Sequence, residues 1–359
     1  MSLDALRGFD MLFIMGFASL VVAVCGLWPS AVTDAAAASM SHVAWDGFAH
    51  HDTIFPLFLF IAGVSFPYSV AKQRAGGMSE GRIYAKIVRR GLTLVVLGMV
   101  YNGLFKLDFE NLRIASVLGR IGLAWSIAAV LYLNFGVKTR AAIAVAVLAG
   151  YGALSALVAA PDAVGAGPLT FEGNLAGYID RQFLPGKLIY GSFDPEGLLS
   201  TVPAVVTAML GMFTGEFVRR SDIRGGRKTL WMAAAAAALL AAGLAFSGVL
   251  PVNKKLWSST FVCVVGAYSL GMFALFYYLI DVRGWRRWTL FFRVVGLNSI
   301  TIYLAQRIVG FGRISDFFLG GIASKCPEAV AAVISSAGYV AVCWLFLYFL
   351  YRKNVFLKV

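Results

Sequence analysis

The chain has 359 residues, of which 60% are hydrophobic and only 14% carry a charge. Soluble domains are roughly half apolar and about a quarter charged, so this composition excludes an ordinary soluble enzyme, a disordered chain and a secreted disulfide scaffold. The formal net charge of +13 would suit a nucleic-acid partner, but its distribution along the chain favours a membrane instead. The composition predicts an all-α, polytopic helical membrane protein that is embedded in lipid and binds no nucleic acid.

Ten apolar runs follow one another along the chain, each bounded by charged residues, glycine or proline. A helix needs about 20 apolar residues to cross a bilayer, and most runs approach that length. The third run is short, and we expect its helix to begin earlier, within Ile83–Val88. We predict about ten or eleven transmembrane helices in one transmembrane domain, residues 1–359. The runs are Met11–Trp28, Thr53–Val70, Gly91–Phe105, Ile114–Phe135, Ala141–Ala160, Leu198–Val218, Leu230–Leu250, Leu256–Ile280, Trp288–Ile308 and Ala329–Tyr351.

Lysine and arginine are distributed unevenly between alternate loops. If both termini face the cytoplasm, the cytoplasmic segments hold 21 of the 31 basic residues and 6 of the 18 acidic ones. Basic residues favour the cytoplasmic loops of membrane proteins. We therefore expect cytoplasmic termini and a multi-pass protein in the cytoplasmic (inner) membrane. The N-terminus lacks a basic region ahead of a small-residue cleavage site, so no signal peptide is expected.

All three histidines lie in the first extracytoplasmic loop, Pro29–Asp52: they are His42, His50 and His51. Histidine changes charge near neutral pH, and a neighbouring carboxylate can orient the ring and raise its basicity. A histidine with an aspartate at the mouth of a membrane cavity would suit a general base, although a loop histidine can also have no function. A metal site is the weaker interpretation, because adjacent residues rarely converge on one ion and no further histidine or cysteine completes the shell.

Polar side chains also lie within or beside the apolar runs, where a charge is costly unless it is paired or faces water. They indicate an internal polar tunnel or site, and a structural ion-pair network is the alternative. They are Asp4, Arg7 and Asp10 near the start, Arg113 and Arg120 seven residues apart, and Asn298, Ser299, Tyr303 and Gln306 in the ninth run.

A long extracytoplasmic loop between two runs carries a second group of charges, Asp180, Arg181, Asp194 and Glu196. Polar loops beside membrane spans are natural docking places for a polar substrate. Ion pairs that only fix the loop would explain the same residues, and the sequence leaves both interpretations open.

A series of short motifs resembles the heparan-α-glucosaminide N-acetyltransferase family, which comprises the lysosomal transmembrane enzyme and its bacterial relatives. The motifs occur in the family's order and cover essentially the whole chain. They are Ser2–Asp10; His42, Trp45, Gly47, Asp52 and Phe55-Pro56; Arg113-Ile114, Val117-Leu118 and Arg120; Gly177–Arg181; Asp194–Gly197; Pro251–Lys254; Leu256–Ser258; Asn298-Ser299; and Tyr351–Lys353.

The resemblance implies a membrane enzyme that takes acetyl-CoA from the cytoplasm and acetylates a glucosamine amine on the far side. It implies that His42 is the catalytic histidine and Asp52 its neighbouring carboxylate. The departures are a missing N-terminal luminal domain and Gln306 where the lysosomal enzyme has a late histidine. They weigh against heparan as the acceptor and against any mechanism that needs a second histidine. No obvious second base is present, which favours a ternary complex over an acetyl-histidine.

We assign the other predicted site residues by their place in the chain. Cationic residues at the cytoplasmic face would suit the anionic phosphates of acetyl-CoA, and Arg7 is the assigned contact, although the positive-inside bias alone would place many such residues there. The candidates are Arg7, Lys72, Arg74, Arg89 and Arg90. Arg120, Asn298 and Ser299 would line the tunnel that the pantetheine arm enters. Trp45 and the loop charges Asp180, Arg181, Asp194 and Glu196 would contact an amino-sugar or glycan acceptor. No metal is expected. A second copy of the chain, in a homodimer, is a candidate partner.

Two other functions remain open from the sequence. An acyltransferase-3-type O-acetyltransferase also opens with a Leu-Asp-x-Leu-Arg-Gly pattern, but its Arg-x-x-x-His motif near the first helices is missing here. A transporter could bind a polar solute with the same stripe of side chains, and inverted sequence symmetry or broken helices would support it.

Overall fold

The structure is a computed structural model that describes residues 1–357. Over this range the chain is helical and contains no β-strand. Its contacts form two compact units, each described by itself below. Unit 1 comprises residues 1–43, 49–54 and the described residues from 275 onward, and unit 2 comprises residues 44–48 and 55–274. This division does not test the predicted single domain, which stays a prediction.

The α-helices follow the chain from one unit into the other and back. The first helices of unit 1 are α1 (Ser2–Leu12), α2 (Ala18–Cys25) and α3 (Ala31–Ala38). Apart from a few terminal residues, unit 2 holds α4 (Ile54–Ala75), α5 (Glu80–Tyr101), α6 (Val117–Asn134), α7 (Val137–Leu157), α8 (Leu175–Phe183), α9 (Leu198–Arg219), α10 (Gly225–Phe246) and α11 (Ser259–Phe276). Unit 1 resumes with α12 (Thr289–Leu297), α13 (Ser299–Ile308), α14 (Phe311–Ala323) and α15 (Glu328–Arg352).

Eight helical segments of the described chain are long and apolar enough to cross a membrane. They correspond to eight of the ten predicted runs, which confirms a polytopic helical membrane protein. The third run belongs to α5, whose first half carries several basic residues and which starts at Glu80, before the expected Ile83–Val88. The count of about ten or eleven spans stays a prediction.

The first helical segment of unit 1 is interrupted by a π-helical turn at Phe13–Phe17, between α1 and α2. Gly16 within this turn has φ of +113°, a left-handed value that glycine adopts without strain. A Cβ atom at Gly16 would also lie 2.7 Å from the ring of Tyr339 in α15, so only glycine fits. The apolar pattern of the run gave no sign of this break.

The ninth predicted run, Trp288–Ile308, is not one continuous helix. Asn298 has non-helical backbone angles (φ −124°, ψ 30°) and separates α12 from α13. The next helix, α14, packs against α15 and was not predicted as an element. The polar residues of this run predicted one face of a continuous helix. Their spacing does not reveal that one of them, Asn298, ends the helix.

Small residues let the helices approach closely in both units. In unit 1, a side chain at Gly8 of α1 would overlap the Phe292 carbonyl, and one at Gly296 of α12 would overlap the Asp4 carbonyl. In unit 2, a side chain at Gly211 of α9 would overlap a backbone carbonyl of α4. Close approach over small residues is a common way for membrane helices to gain packing contacts, because lipid offers no hydrophobic drive between them.

Candidate functional site

The loop of unit 1 that holds the histidines brings His42 and Asp52 together. The Nδ1 atom of His42 lies 2.8 Å from an oxygen of the Asp52 carboxylate. Asp52 ends a short 3₁₀ turn, His50–Asp52, and is 1% exposed, whereas half of the His42 side chain is exposed. The predicted pair is therefore present as a buried carboxylate that holds an accessible imidazole.

Backbone groups fix the other oxygen of this carboxylate. Oδ2 of Asp52 accepts hydrogen bonds from the backbone N–H groups of Val43 and Ala49, each at 3.3 Å. An ionised carboxylate can only accept, so Nδ1 of His42 must donate, and the basic lone pair is placed on Nε2. The arrangement sets the ring orientation and the tautomer that a general base requires.

The other two histidines are close by but differ in their surroundings. The ring of His51 lies 4.5 Å from the ring of His42, measured between centroids. The ring of His50 packs 4.3 Å from that of Phe13, and burial lowers the pKa of His50. Among residues 1–357, no group of three or more histidine, cysteine or acidic side chains is placed to hold a metal ion.

The long loop of unit 2 between α7 and α9 contacts Arg113. Its guanidinium makes two hydrogen bonds to the carboxylate of Asp194, at 2.7 and 2.6 Å, and a further one to Glu196. Burial alone would lower the pKa of Arg113, but the hydrogen bonds and charges of the two carboxylates outweigh it and raise this pKa. Bidentate pairing of this kind gives both strength and fixed geometry.

The carboxylate of Asp180 binds the backbone of the same loop. Its carboxylate accepts hydrogen bonds from the backbone N–H groups of Asp194 and Leu198, at 3.2 and 2.9 Å. Its side chain is completely buried, and this burial raises the pKa of Asp180 to about 6. Arg181 instead pairs with Asp162 at 2.8 Å and donates to the backbone of Ser192.

These contacts favour the structural interpretation of the loop charges. Asp180, Arg181, Asp194 and Glu196 all bind other parts of unit 2, and the substrate-binding role assigned to them stays a prediction. The partners Arg113 and Asp162 were not among the predicted site residues. From the sequence, only the charge of Arg113 and its position seven residues before Arg120 could have indicated that Arg113 belongs to this network.

Trp45 belongs to the short segment of unit 2 that interrupts the histidine loop. Its indole N–H donates to the Leu169 carbonyl at 2.9 Å, and its ring packs against Phe171 and Phe193 at 5.5 and 6.0 Å. Lys255 donates to the Ala44 carbonyl at 2.7 Å beside the same aromatic cluster. Aromatic faces are suited to packing against sugar rings. In the sequence, only the place of Trp45 in the histidine motif could have indicated this cluster.

Arg120 lies deep in unit 2, near the start of α6. It is 2% exposed, its guanidinium donates to the Ser200 hydroxyl, and its charge lies 5.0 Å from the centre of the Trp257 ring. Its Nε and Nη1 atoms have no hydrogen-bond partner within the described residues. A buried guanidinium with spare donors can bind a polar group or water, as expected for a residue that lines an internal path.

The other residues that we predicted to bind acetyl-CoA lie in unit 1. Arg7 of α1 pairs with Asp4 at 3.3 Å. The Asn298 amide donates to the Val355 carbonyl at 3.2 Å, and the Ser299 hydroxyl donates to the Gly296 carbonyl at 2.8 Å. Asn298 and Ser299 thus stabilise the break between α12 and α13, and their predicted contact with acetyl-CoA remains untested.

The helices and these side chains define a polytopic helical membrane protein with a His–Asp pair of the kind used in acid–base catalysis. Residues 1–248 match the family model described as "Heparan-alpha-glucosaminide N-acetyltransferase, catalytic". The chain belongs to this family, which confirms the resemblance of its sequence motifs.

Two curated relatives are similar along most of the chain, and both are named heparan-alpha-glucosaminide N-acetyltransferase. The human protein is 27% identical over 375 residues, which covers 89% of this chain and 55% of that protein. The mouse protein is 26% identical over 380 residues, with 89% and 56% covered. The chain thus spans about half the length of the curated relatives it matches.

Proposed function

We propose that this protein transfers an acetyl group from cytoplasmic acetyl-CoA to the amine of a glucosamine-like acceptor on the extracytoplasmic side of the cytoplasmic membrane. The observation that carries the proposal is the 2.8 Å hydrogen bond between His42 and the buried carboxylate of Asp52. Membership of an N-acetyltransferase family supports the reaction class. The excess of basic residues in alternate loops supports the orientation.

In the proposed reaction, Nε2 of His42 takes a proton from the acceptor amine as its nitrogen attacks the thioester carbonyl carbon. A new C–N bond forms, the C–S bond breaks, and the electron pair of that bond leaves on the CoA sulfur. His42 then returns its proton to the thiolate, so that the enzyme ends in its starting state. Asp52 stabilises the imidazolium in between and keeps its orientation. A positioned base of this kind contributes about 10²–10⁴-fold to the rate.

The donor is anionic, and its phosphates would be held by cationic groups at the cytoplasmic face, with Arg7 as the predicted contact. Arg120 fits the predicted path of the acyl arm best, because it is buried and keeps two donor atoms without a partner in the described chain. Asn298 and Ser299 fit less well, since each donates to a backbone carbonyl. Trp45 and its neighbouring rings would pack against the sugar of the acceptor.

The test uses the purified protein with acetyl-CoA and glucosamine, and measures N-acetylglucosamine by mass spectrometry. We expect product from the wild type and a loss of at least about 100-fold in His42→Ala. His51→Ala is the matched control, because it removes a neighbouring imidazole and leaves the His42–Asp52 hydrogen bond in place. Product that is cleaved by mild alkali would indicate an O-acetyl ester instead, and equal product from wild type and His42→Ala would remove His42 from its role.

A transporter is the second candidate, and the interrupted helices favour it. The first helical segment breaks at Gly16 and the ninth run breaks at Asn298, as in transporters whose broken helices bind solutes. Uptake of a labelled amino sugar into proteoliposomes without turnover of acetyl-CoA would support this function.

The predicted homodimer is tested by measuring the mass of the purified protein in detergent.

A further inference from the structure

Unit 1 contains a polar pocket that has no residue in common with the His42–Asp52 pair. Its volume is about 450 Å³, and it is lined by residues of the first helical segment, α13, α14 and α15. The lining includes four serines, a tyrosine, a glutamine and an aspartate. Two of the contributing segments, Ser2–Cys25 and Glu328–Arg352, are candidate membrane spans. Polar groups at such positions are costly in lipid and commonly serve a function.

The break in the first helical segment forms one wall of this pocket. Gly16 lines the pocket within the π-helical turn, and its φ of +113° and the nearby Tyr339 ring exclude any larger residue. Gln306 of α13 donates through Nε2 to the Tyr339 hydroxyl at 2.9 Å and to the Ile14 carbonyl at 3.4 Å. These contacts fix the glutamine side chain, and its carbonyl oxygen is the group with which it could accept a hydrogen bond from a ligand.

Ser315 of α14 supplies an independent indication of a ligand. It lines the pocket and is 1% exposed, yet its hydroxyl has no hydrogen-bond partner within residues 1–357. Buried polar groups are nearly always satisfied by protein, by water or by a ligand. The hydroxyl lies beside Gly338 of α15, where an added Cβ atom would overlap it, so the Ser315 side chain must rotate towards the pocket to bind a polar group there.

The charges around the pocket limit what this group can be. Asp316 lines it, and none of the lining residues, all of them described, is lysine or arginine. A phosphate or carboxylate would be repelled by Asp316 with no cation among the lining residues to compensate, so the lining does not suit the phosphates of CoA. Hydroxyl and ammonium groups can donate to the carboxylate and pair with the serines, and the volume is within the range of small-molecule pockets.

We propose that this pocket binds a hydroxyl-rich, neutral or cationic group of about the size of a monosaccharide. The same chemistry is offered by a free sugar and by the sugar head group of a glycolipid. The proposal stands on the lining of the pocket and does not depend on acetyl transfer.

The test fills the pocket without disturbing the backbone. A Cβ atom at Gly312, which lines the pocket, meets nothing within 4 Å, so Gly312→Leu would extend into open space. Gly321 lies on the same helix, does not line the pocket and is equally open, so Gly321→Leu is the matched control. Both variants are made in the His42→Ala background, so that turnover does not contribute, and the comparison of the two leucine variants separates binding in this pocket from binding at the proposed catalytic site.

Binding is measured by titrating glucose, glucosamine and glucose 6-phosphate in a thermal-shift assay, and by repeating it in nanodiscs with and without monoglucosyl-diacylglycerol. We expect saturable stabilisation by glucosamine and glucose, little by glucose 6-phosphate, and an affinity at least about tenfold weaker in Gly312→Leu than in Gly321→Leu. Because Asp316 is exposed, Asp316→Asn should reduce the preference for glucosamine over glucose by only about two- to fivefold.

Each outcome decides the proposal or the source of the ligand. Stabilisation by the glycolipid alone supports the pocket and assigns it to a lipid head group, whereas stabilisation by the free sugars assigns it to a soluble ligand. The proposal is overturned if no probe gives saturable stabilisation, if the two leucine variants behave alike, or if glucose 6-phosphate binds as well as glucose. Sugar binding that is weakened by Gly312→Leu, with acetyl transfer by Gly312→Leu unchanged when His42 is present, would separate this site from the proposed active site.

Discussion

The hydrogen bonds around Asp52 predict an unusually specific effect of Asp52→Asn. Oδ2 of the carboxylate faces two backbone N–H groups, which only an oxygen can accept. The amide oxygen of an asparagine would therefore take that place and turn its NH₂ group towards His42. The ring would then have to accept at Nδ1 and carry its proton on Nε2, which is the wrong tautomer for a base.

The magnitude follows from the role assigned to His42. A positioned general base contributes about 10²–10⁴-fold, which corresponds to about 3–5 kcal/mol of transition-state stabilisation at 1.36 kcal/mol per tenfold. Asp52→Asn should lose most of this factor in kcat, with little change in the KM for acetyl-CoA. The fold should be retained, because the two backbone N–H groups keep an acceptor.

The assay compares kcat and KM of the wild type, Asp52→Asn, His42→Ala and the double variant, with the thermal-unfolding midpoint measured for each. The double variant should be no slower than His42→Ala, since both changes remove the same base. Asp34→Asn, an exposed aspartate in α3, is the matched control and should keep full activity. A folded Asp52→Asn protein within about threefold of the wild-type kcat would contradict the assignment of the tautomer.

Three further predictions concern unit 2. The pKa of Asp180 rises from 3.8 to about 6 on folding, so its contribution to stability is fully present below pH 3.8 and is lost as the pH rises through 6. This contribution amounts to about 3 kcal/mol, so the wild-type unfolding midpoint should fall between about pH 4 and pH 6 more steeply than that of Asp180→Asn, and equal slopes would contradict it. Asp194→Asn should cost about 3–5 kcal/mol by leaving Arg113 partly unpaired, and Arg113→Gln in the same chain should recover part of the loss, as a double-mutant cycle of unfolding would measure. Gly211→Ala should destabilise by about 1–3 kcal/mol because its Cβ would overlap a carbonyl of α4, whereas Gly226→Ala, which faces open space, should not, and similar midpoints for the two variants would refute this packing.

The sequence was a good guide to the helices and to the His–Asp pair, for different reasons. Apolar runs of about 20 residues are required by the thickness of the bilayer, so their positions can be read from composition alone. His42 and Asp52 lie ten residues apart in one loop, where a turn such as His50–Asp52 can bring them into contact. Both inferences use local information.

The helix breaks and the loop network could not be predicted in the same way. The helix break at Gly16 lies against the ring of Tyr339, which comes more than 300 residues later in the chain. Likewise, Arg113 meets Asp194 across 81 positions, and nothing in the local pattern of either residue identifies the partner. Asn298 was expected on a helix face, because periodicity shows which residues share a side but not where the backbone leaves the helix.

The use of hydrogen-bonding capacity separates the predicted site residues into two groups. Asp180, Asp194 and Ser299 bind backbone or side-chain groups of their own unit, so substitutions there should change stability before they change turnover. His42 is half exposed with its basic nitrogen on the side away from Asp52, and Arg120 keeps two buried donors without a partner in the described chain. We expect the second group to contact the reacting molecule, so its substitutions should lower kcat or raise KM in protein that is still folded. Comparing the unfolding midpoint with kcat for each variant therefore tests which residues perform the chemistry and which only hold the loops that carry them.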